Sequence, residues 1–166
     1  MKFKLVKLKS YSGKEASIYS VYMEDLQKTL FDVFLEENKT SFKSELKDIL
    51  KRMSVIGHKT GAREQFFKTK EGIPGDGVCA LYDDPDKKLR LYCIRYGKQL
   101  IILGGGGQKT DHIRELQEDE KLKKENYLLR DISARIRTRT DEKEIVFING
   151  GMDFEGKFEF DTEKDE

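Results

Sequence analysis

The stretch LRLYCIRYGKQLIILGGGGQKT, residues 89–110, decides the predicted fold. It holds a run of apolar, charged and aromatic residues at 89–96, the short turn Gly97-Lys98, and a second apolar run at 100–103. Two β-prone runs joined by two residues with glycine first predict an antiparallel hairpin. Because another strand candidate precedes them at 78–82, the sequence predicts an antiparallel meander.

Alternation along residues 89–96 divides the side chains between two faces of the strand. One face, which we expect to pack on helices, carries Leu89, Leu91 and Cys93. The opposite face carries Arg90, Tyr92, Ile94 and Tyr96. We predict that this opposite face is open and suits a polyanion with bases, because guanidinium binds phosphate and tyrosine rings stack on bases. Ordinary exposed strand residues in favourable cross-strand pairs are the alternative. Arg95 shares the first face and is expected at the hairpin end, outside the core.

Four glycines at 104–107 lead into Gln108, Lys109 and Thr110. We expect a flexible, backbone-exposed connection from a strand to a helix, whose first turn favours an anion. A P-loop would need glycine at positions 103 and 108, so a nucleoside triphosphate site is not expected. His112 follows Lys109 closely and lies near the predicted Arg90 face.

The rest of the chain reads as further short elements. Residues 1–23 predict a β-hairpin. Two apolar stripes at helical spacing predict a helical hairpin, with Ser41 as a candidate N-cap of the second helix. Residues 111–137 predict a charged helix with an interrupted apolar face, and 144–148 and 157–160 are strand candidates.

The charge is distributed unevenly along the 166 residues. There are 32 Lys and Arg against 31 Asp and Glu, a formal net charge of +1. Residues 153–166 hold seven acids and two lysines, a net of −5, which leaves +6 for residues 1–152. We therefore predict one moderately basic domain, 1–152, and an acidic tail, 153–166. The basic domain would attract a polyanion, because local potential rather than total charge acts on such a partner. A tail that only keeps the chain soluble is the alternative.

Composition also excludes several classes of protein. No apolar run approaches the about 20 residues of a spanning helix, so we expect a cytoplasmic protein with no membrane partner. Cys79 and Cys93 are too few for a disulfide framework and too far apart for a CxxC motif. With only His58 and His112 besides, we expect no metal site, and no cofactor motif is present.

The order of these features resembles the RelE superfamily of toxins from toxin–antitoxin systems, in particular its phage-derived HigB-like branch. The shared order is two helices, a turn-rich passage, LRLYCIRY, a tight turn, LIIL, glycine with Gln-Lys-Thr, and a charged helix. The match covers roughly residues 41–136. It implies an α+β fold in which a helical hairpin packs on a small twisted antiparallel sheet. The N-terminal hairpin, and the end of the chain beyond the matched helix, would be additions.

The resemblance also implies a chemistry. Such toxins receive mRNA on the sheet, usually in the ribosomal A site, and cut it without a metal. The 2′-hydroxyl attacks the adjacent phosphorus, so the site must remove a proton, stabilise a dianionic transition state and protonate the 5′-oxygen. By this resemblance Arg90 would hold the scissile phosphate, Lys109 would stabilise charge or act as base, and His112 or Tyr127 would be the acid. Further RNA contacts are expected from Arg63, Lys68, Tyr92, Arg95, Tyr96 and Gln108.

Three functions stay open on this basis. The first is a ribosome-dependent mRNA endonuclease toxin, neutralised by a small DNA-binding antitoxin in a toxin–antitoxin hetero-oligomer. The second is a non-catalytic RNA- or protein-binding module, since family members carry a consecutive basic pair where this chain has Gln108-Lys109. The third is an inhibitor of another target such as gyrase, as in a sister branch, which predicts DNA damage rather than loss of mRNA.

Overall fold

The computed structural model describes residues 1–109 and 115–164, with the backbone alone at 115–119. Within these residues the fold is α+β, as predicted. The strands are β1 Lys2–Lys7, β2 Ser17–Met23, β3 Lys28–Thr29, β4 Phe67–Lys68, β5 Val78–Leu81, β6 Leu89–Tyr96, β7 Leu100–Gln108, β8 Ile145–Ile148, β9 Asp153–Gly156 and β10 Glu159–Asp161. The helices are α1 Leu30–Asn38, α2 Lys43–Val55 and α3 Glu115–Asp141, and a turn of π-helix, Ile56–Thr60, extends α2.

The main sheet is mixed rather than purely antiparallel. Its strand order is β10-β1-β2-β7-β6-β5-β4, and β3 pairs with β2. The N-terminal hairpin and the meander from β5 to β7 are antiparallel, which confirms both predictions. The prediction of an all-antiparallel sheet is wrong at one pair, because β7 lies parallel to β2, with Ser17 opposite Leu100. The long passage between these strands, which includes α1 and α2, allows the parallel return that a tight hairpin forbids.

The face of β6 that carries Leu89, Leu91 and Cys93 is buried under α1 and α2, as predicted. These side chains share a core with Phe34 of α1 and Met53 of α2. Alternation along a strand that packs on amphipathic helices therefore identifies this core correctly.

The opposite face of β6 is covered, and the prediction of an open face is wrong. Helix α3 lies across it, so that Tyr92 is 4% exposed and Ile94 is fully buried against a core that includes Leu129 and Ile132. The physical reason is the apolar face of α3, which needs a partner. Burying each large aliphatic side chain contributes about 1.5–3 kcal/mol, and the sheet supplies the apolar surface.

The four glycines continue β7 instead of forming a flexible connection, which corrects the prediction for 104–107. All four are buried in the strand, and the β6/β7 register shifts by one residue between Leu91 and Cys93. A Cβ at Gly106 would overlap the Arg90 carbonyl oxygen, and a Cβ at Gly104 would lie 2.9 Å from the Leu129 side chain. The glycines therefore let β6 and α3 approach β7 closely.

The two helices of the hairpin begin differently, since only α1 has a side-chain cap. Thr29 caps α1, because its side chain accepts from the Asp32 backbone N–H while the Asp32 side chain accepts from Thr29, a capping box. The prediction of Ser41 as the cap of α2 is wrong. Phe42 stands at that position and makes no side-chain capping bond.

The acidic C-terminal segment, described to residue 164, differs from the predicted tail. β9 pairs with β8, and β10 pairs with β1 along the edge of the main sheet. Phe154 and Phe160 are buried. Asp153 accepts from Lys7 at 2.7 Å, and this bond, with others from Asn149 and Ser17, outweighs the effect of burial and lowers its pKa. Residues 153–161 thus belong to the folded body.

Candidate functional site

Three cationic side chains converge on the carboxylate of Asp83. Lys109 Nζ lies 2.7 Å from Asp83 Oδ2, Lys68 Nζ lies 2.8 Å from Oδ1, and Arg90 Nη2 lies 3.4 Å from Oδ2. Arg90 Nη1 also lies 3.9 Å from an oxygen of Glu71. We call Lys68, Arg90 and Lys109 the cation cluster; with the two carboxylates its local charge is +1.

Adjacent strands bring these residues together at one end of the sheet. Lys68 lies on edge strand β4, opposite Ala80, and Asp83 follows β5 by two residues. Arg90 lies on β6, opposite Gly107. Lys109 follows β7 directly; its backbone N–H donates to Lys88 O and its Nζ donates to Asp84 O at 3.0 Å. The cations are thus fixed by strand pairing and not by a mobile loop.

The exposure of these side chains decreases toward the carboxylate. The side chains of Lys68, Arg90 and Lys109 are 34%, 22% and 19% exposed, whereas that of Asp83 is 4% exposed. An anion arriving from solvent would therefore meet ammonium and guanidinium groups before it met the carboxylate. The side chain of Glu71 is as exposed as that of Arg90, at 22%, so a second carboxylate borders the same surface.

The charges of the cluster perturb the acid at its centre. Burial by itself raises the pKa of Asp83, but hydrogen bonds from Lys109 and Lys68 and the charge of Arg90 outweigh it, so that this pKa lies below its ordinary value. Burial lowers the pKa of Arg90, and the charges of Asp83 and Glu71 more than restore it. Asp83 is therefore ionised at neutral pH and holds the cations in place.

The segment 69–77 connects the cation cluster to α3. Asn126 Nδ2 and Arg130 Nη2, both on α3, donate to the Glu71 carbonyl oxygen at 2.9 and 2.8 Å. Ser133 Oγ donates to Asp76 O at 2.6 Å. Since Glu71 also pairs with Arg90, the cluster and the covering helix form one polar network.

The structure brings together four of the predicted site residues. Lys68, Arg90 and Lys109 form the cluster, and Gln108 lies opposite Leu89 beside it. Of the catalytic predictions, His112 lies outside the described residues.

Arg95, Tyr96 and Arg63 lie away from the cluster. Arg95 is five residues from Arg90 along β6, about 16 Å at strand spacing. Its Nε donates to the Ala62 carbonyl oxygen at 2.8 Å, which places neighbouring Arg63 at the same end of the sheet.

The two tyrosines predicted to stack on bases are not available on an open face. Tyr92 is buried beneath α3, and desolvation raises its pKa. Tyr96 packs against Phe147 and Phe154, with ring centroids 5.6 and 5.4 Å away, and burial raises its pKa well above the ordinary value. Their prediction as exposed RNA contacts is wrong because it took the face of β6 to be uncovered.

Asp83 is the residue that sequence reasoning missed. The run Asp83-Asp84-Pro85-Asp86 has the composition of a turn, which by itself indicates no role for Asp83 in a site. The available signal was the acid pair Asp83-Asp84, which follows the strand candidate 78–82 and precedes the arginine-containing strand 89–96.

Comparisons with protein-family models, curated proteins and solved structures find no match to this chain. Within residues 1–109 and 115–164, no helix has the length and apolar character needed to cross a membrane. Over the same residues, no group of three or more His, Cys, Asp or Glu side chains is placed to hold a metal ion.

Proposed function

We propose that the chain is a RelE-like toxin that binds mRNA through the cation cluster and cuts it, acting on ribosome-bound message in the cytoplasm. The proposal joins the sequence resemblance to one structural observation. That observation is the convergence of Lys68, Arg90 and Lys109, from three separate parts of the sheet, at a solvent-accessible point. All three are predicted site residues, and the resemblance assigns catalytic roles to Arg90 and Lys109.

The chemistry proposed for the cluster is phosphate binding and charge stabilisation. Arg90 presents a planar fork of N–H donors that matches a phosphodiester, and Lys109 presents a point charge beside it. When the 2′-hydroxyl attacks phosphorus, the phosphate gains negative charge, and both cations then bind the transition state more strongly than the ground state. Lys68, at the edge strand, would contact the neighbouring phosphate of the RNA backbone.

Proton transfer is the part of the mechanism to which the described residues assign no group. His112, which follows Lys109 by three positions in the sequence, or Tyr127 on α3 stays the prediction for the acid, and Lys109 stays the prediction for the base. A small antitoxin that covers the cluster is the partner that the proposal requires. It would be encoded by a neighbouring reading frame with a helix-turn-helix pattern.

A non-catalytic RNA-binding module of the same fold is the second candidate. The observation that favours it is Asp83, which already neutralises part of the cluster and which a catalytic phosphate would have to displace. The two candidates share the RNA-binding surface and differ only in cleavage.

Controlled expression in bacteria tests the first candidate. Wild-type protein should arrest growth and reduce translation within minutes of induction, and Arg90→Ala and Lys109→Ala should relieve the arrest. Arg135→Ala is the matched control, because the Arg135 side chain is 23% exposed and that of Arg90 is 22% exposed. Arg135 also pairs with an acid, since its Nε lies 3.1 Å from Asp131, but both residues lie on α3 outside the cation cluster. Normal growth under wild-type expression would refute the toxin, and RNA binding without cleavage would favour the second candidate.

A further inference from the structure

Two exposed tyrosines lie at the ends of the contacts that run through the cation cluster. Tyr82 is 46% exposed and Tyr127 is 52% exposed. On one side, Lys68 contacts the Tyr82 ring and pairs with Asp83, which also pairs with Arg90. On the other side, Arg90 pairs with the side chain of Glu71. The Glu71 carbonyl oxygen accepts from Arg130, and Arg130 contacts the Tyr127 ring. Exposed aromatic rings therefore lie on either side of the cation cluster and its carboxylates.

Tyr82 projects from a fixed piece of backbone. Its N–H donates to the Phe66 carbonyl oxygen at 2.7 Å, and its own carbonyl oxygen accepts from Arg52 at 2.7 Å. Lys68 Nζ lies 5.7 Å from the ring centroid, and the next residue in the chain is Asp83. The ring thus stands directly beside one edge of the cluster.

Tyr127 stands on α3 at the other side. The Arg130 guanidinium lies 4.9 Å from its ring centroid, and Lys123 Nζ lies 5.6 Å from it. Arg130 is held by the Glu71 carbonyl oxygen, and neighbouring Asn126 donates to the same oxygen. The position of the ring is therefore tied to the segment that pairs with Arg90.

We propose that Tyr82 and Tyr127 are base-stacking positions of a single-stranded RNA site whose phosphates lie on the cation cluster. This inference rests on the proposed RNA-binding function and names the residues that would hold the bases. Rings that alternate with cations along a groove are typical of single-strand binding, because each ring takes a base while a neighbouring cation takes its phosphate. The contacts of Lys68, Lys123 and Arg130 with the rings are weak at such exposed positions and are readily exchanged for a base.

Two fluorescent oligonucleotides separate stacking from charge. One is an oligoadenylate of about 12 nucleotides, within the usual range of single-strand site sizes. The other is an abasic ribose-phosphate chain of the same length. The purified full chain is titrated with each, and binding is followed by fluorescence anisotropy for wild type and for Tyr82→Ala, Tyr127→Ala and the corresponding phenylalanine variants. Tyr22→Ala is the control, since Lys4 lies 5.0 Å from the Tyr22 ring on β1 and β2, in the half of the sheet beyond β7.

Each alanine variant should bind oligoadenylate about 5- to 150-fold more weakly, which corresponds to the loss of one stacked base. The abasic chain should bind all variants equally, and the phenylalanine and Tyr22→Ala variants should match wild type.

Full affinity of both alanine variants, with a loss in Arg90→Ala, would overturn the inference and leave the proposed RNA function standing. Equal losses on the abasic chain would also overturn it, because charge rather than stacking would then be affected. Failure of the wild type to bind either oligonucleotide would also overturn the inference, and the expression test would then decide the ribosome-dependent toxin separately.

Discussion

Asp83→Asn separates the two roles that the structure gives to the central carboxylate. Asparagine keeps the shape and the acceptor oxygen but removes the charge that neutralises Lys68, Arg90 and Lys109. We expect this variant to bind single-stranded RNA more tightly than wild type and to be less stable.

The magnitude follows from the distances. At 2.7, 2.8 and 3.4 Å, each charge contact with Asp83 is worth about 1–2 kcal/mol even at the dielectric constant of water. A phosphate that enters the cluster competes with these contacts. If Asp83→Asn frees the cations from competition worth one such contact, about 1.4 kcal/mol, RNA should bind about tenfold more tightly. Loss of the partly exposed ion pairs should cost about 1–3 kcal/mol of folding free energy, less than a fully buried pair because solvent screens the lysines.

The assay combines two measurements on the same protein. Anisotropy titration with single-stranded RNA gives the affinity, and urea denaturation gives the free energy of unfolding. Asp153→Asn is the matched control, because Asp153 also pairs with a lysine, Lys7, at 2.7 Å. This pair joins the end of β1 to the start of β9 and is not part of the cation cluster. If Asp83→Asn lost stability while its RNA affinity stayed equal to or below that of wild type, the cluster would not be a phosphate site.

Three further predictions concern the frame that holds the cluster. Gly106→Ala should lower the free energy of unfolding by about 2 kcal/mol or more, because its Cβ would overlap the Arg90 carbonyl oxygen. Gly105→Ala should cost less, because its Cβ would meet, at 2.5 Å, an oxygen of the flexible Glu125 side chain. Equal costs in urea denaturation would contradict the placement of β7. Ile132→Ala should cost about 2–5 kcal/mol, since Ile132 is fully buried between α3 and the sheet; a loss well below this range would mean that α3 does not cover the sheet. The pKa of Asp83 is lowered in the folded state, so its ion pairs stabilise the fold above about pH 3.9 and cease to do so as pH falls through the folded-state pKa. Acid should therefore destabilise wild type more steeply than Asp83→Asn. Parallel pH profiles of the unfolding free energy would count against the ion pairs.

Local patterns in the sequence were sufficient to predict much of the fold. The meander, the N-terminal hairpin and the buried Leu89 face follow from alternation and turn chemistry, which act over a few residues. The parallel pairing of β2 with β7 joins residues more than 80 positions apart, and no local pattern encodes it. The same limit explains the covered face of β6, since α3 begins well after the strand that it buries.

The site was predicted in part for the same reason. Arg90 and Lys109 stand out locally, on a strand face and after a glycine run. Asp83 does not, because its role depends on three cations that strand pairing brings to it. The open-face prediction placed the aromatic contacts at Tyr92 and Tyr96, whereas the exposed rings beside the cluster belong to Tyr82 and Tyr127.

Mapping RNA 5′ ends on translating ribosomes tests the central claim most directly. Purified wild-type protein, added to ribosomes paused on a defined message, should produce new 5′ ends by primer extension at the ribosomal A site. Arg90→Ala and Lys109→Ala should produce none, and Arg135→Ala should cut as wild type does. Cleavage that persists undiminished in both cluster variants, or no cleavage by wild type, would contradict the account.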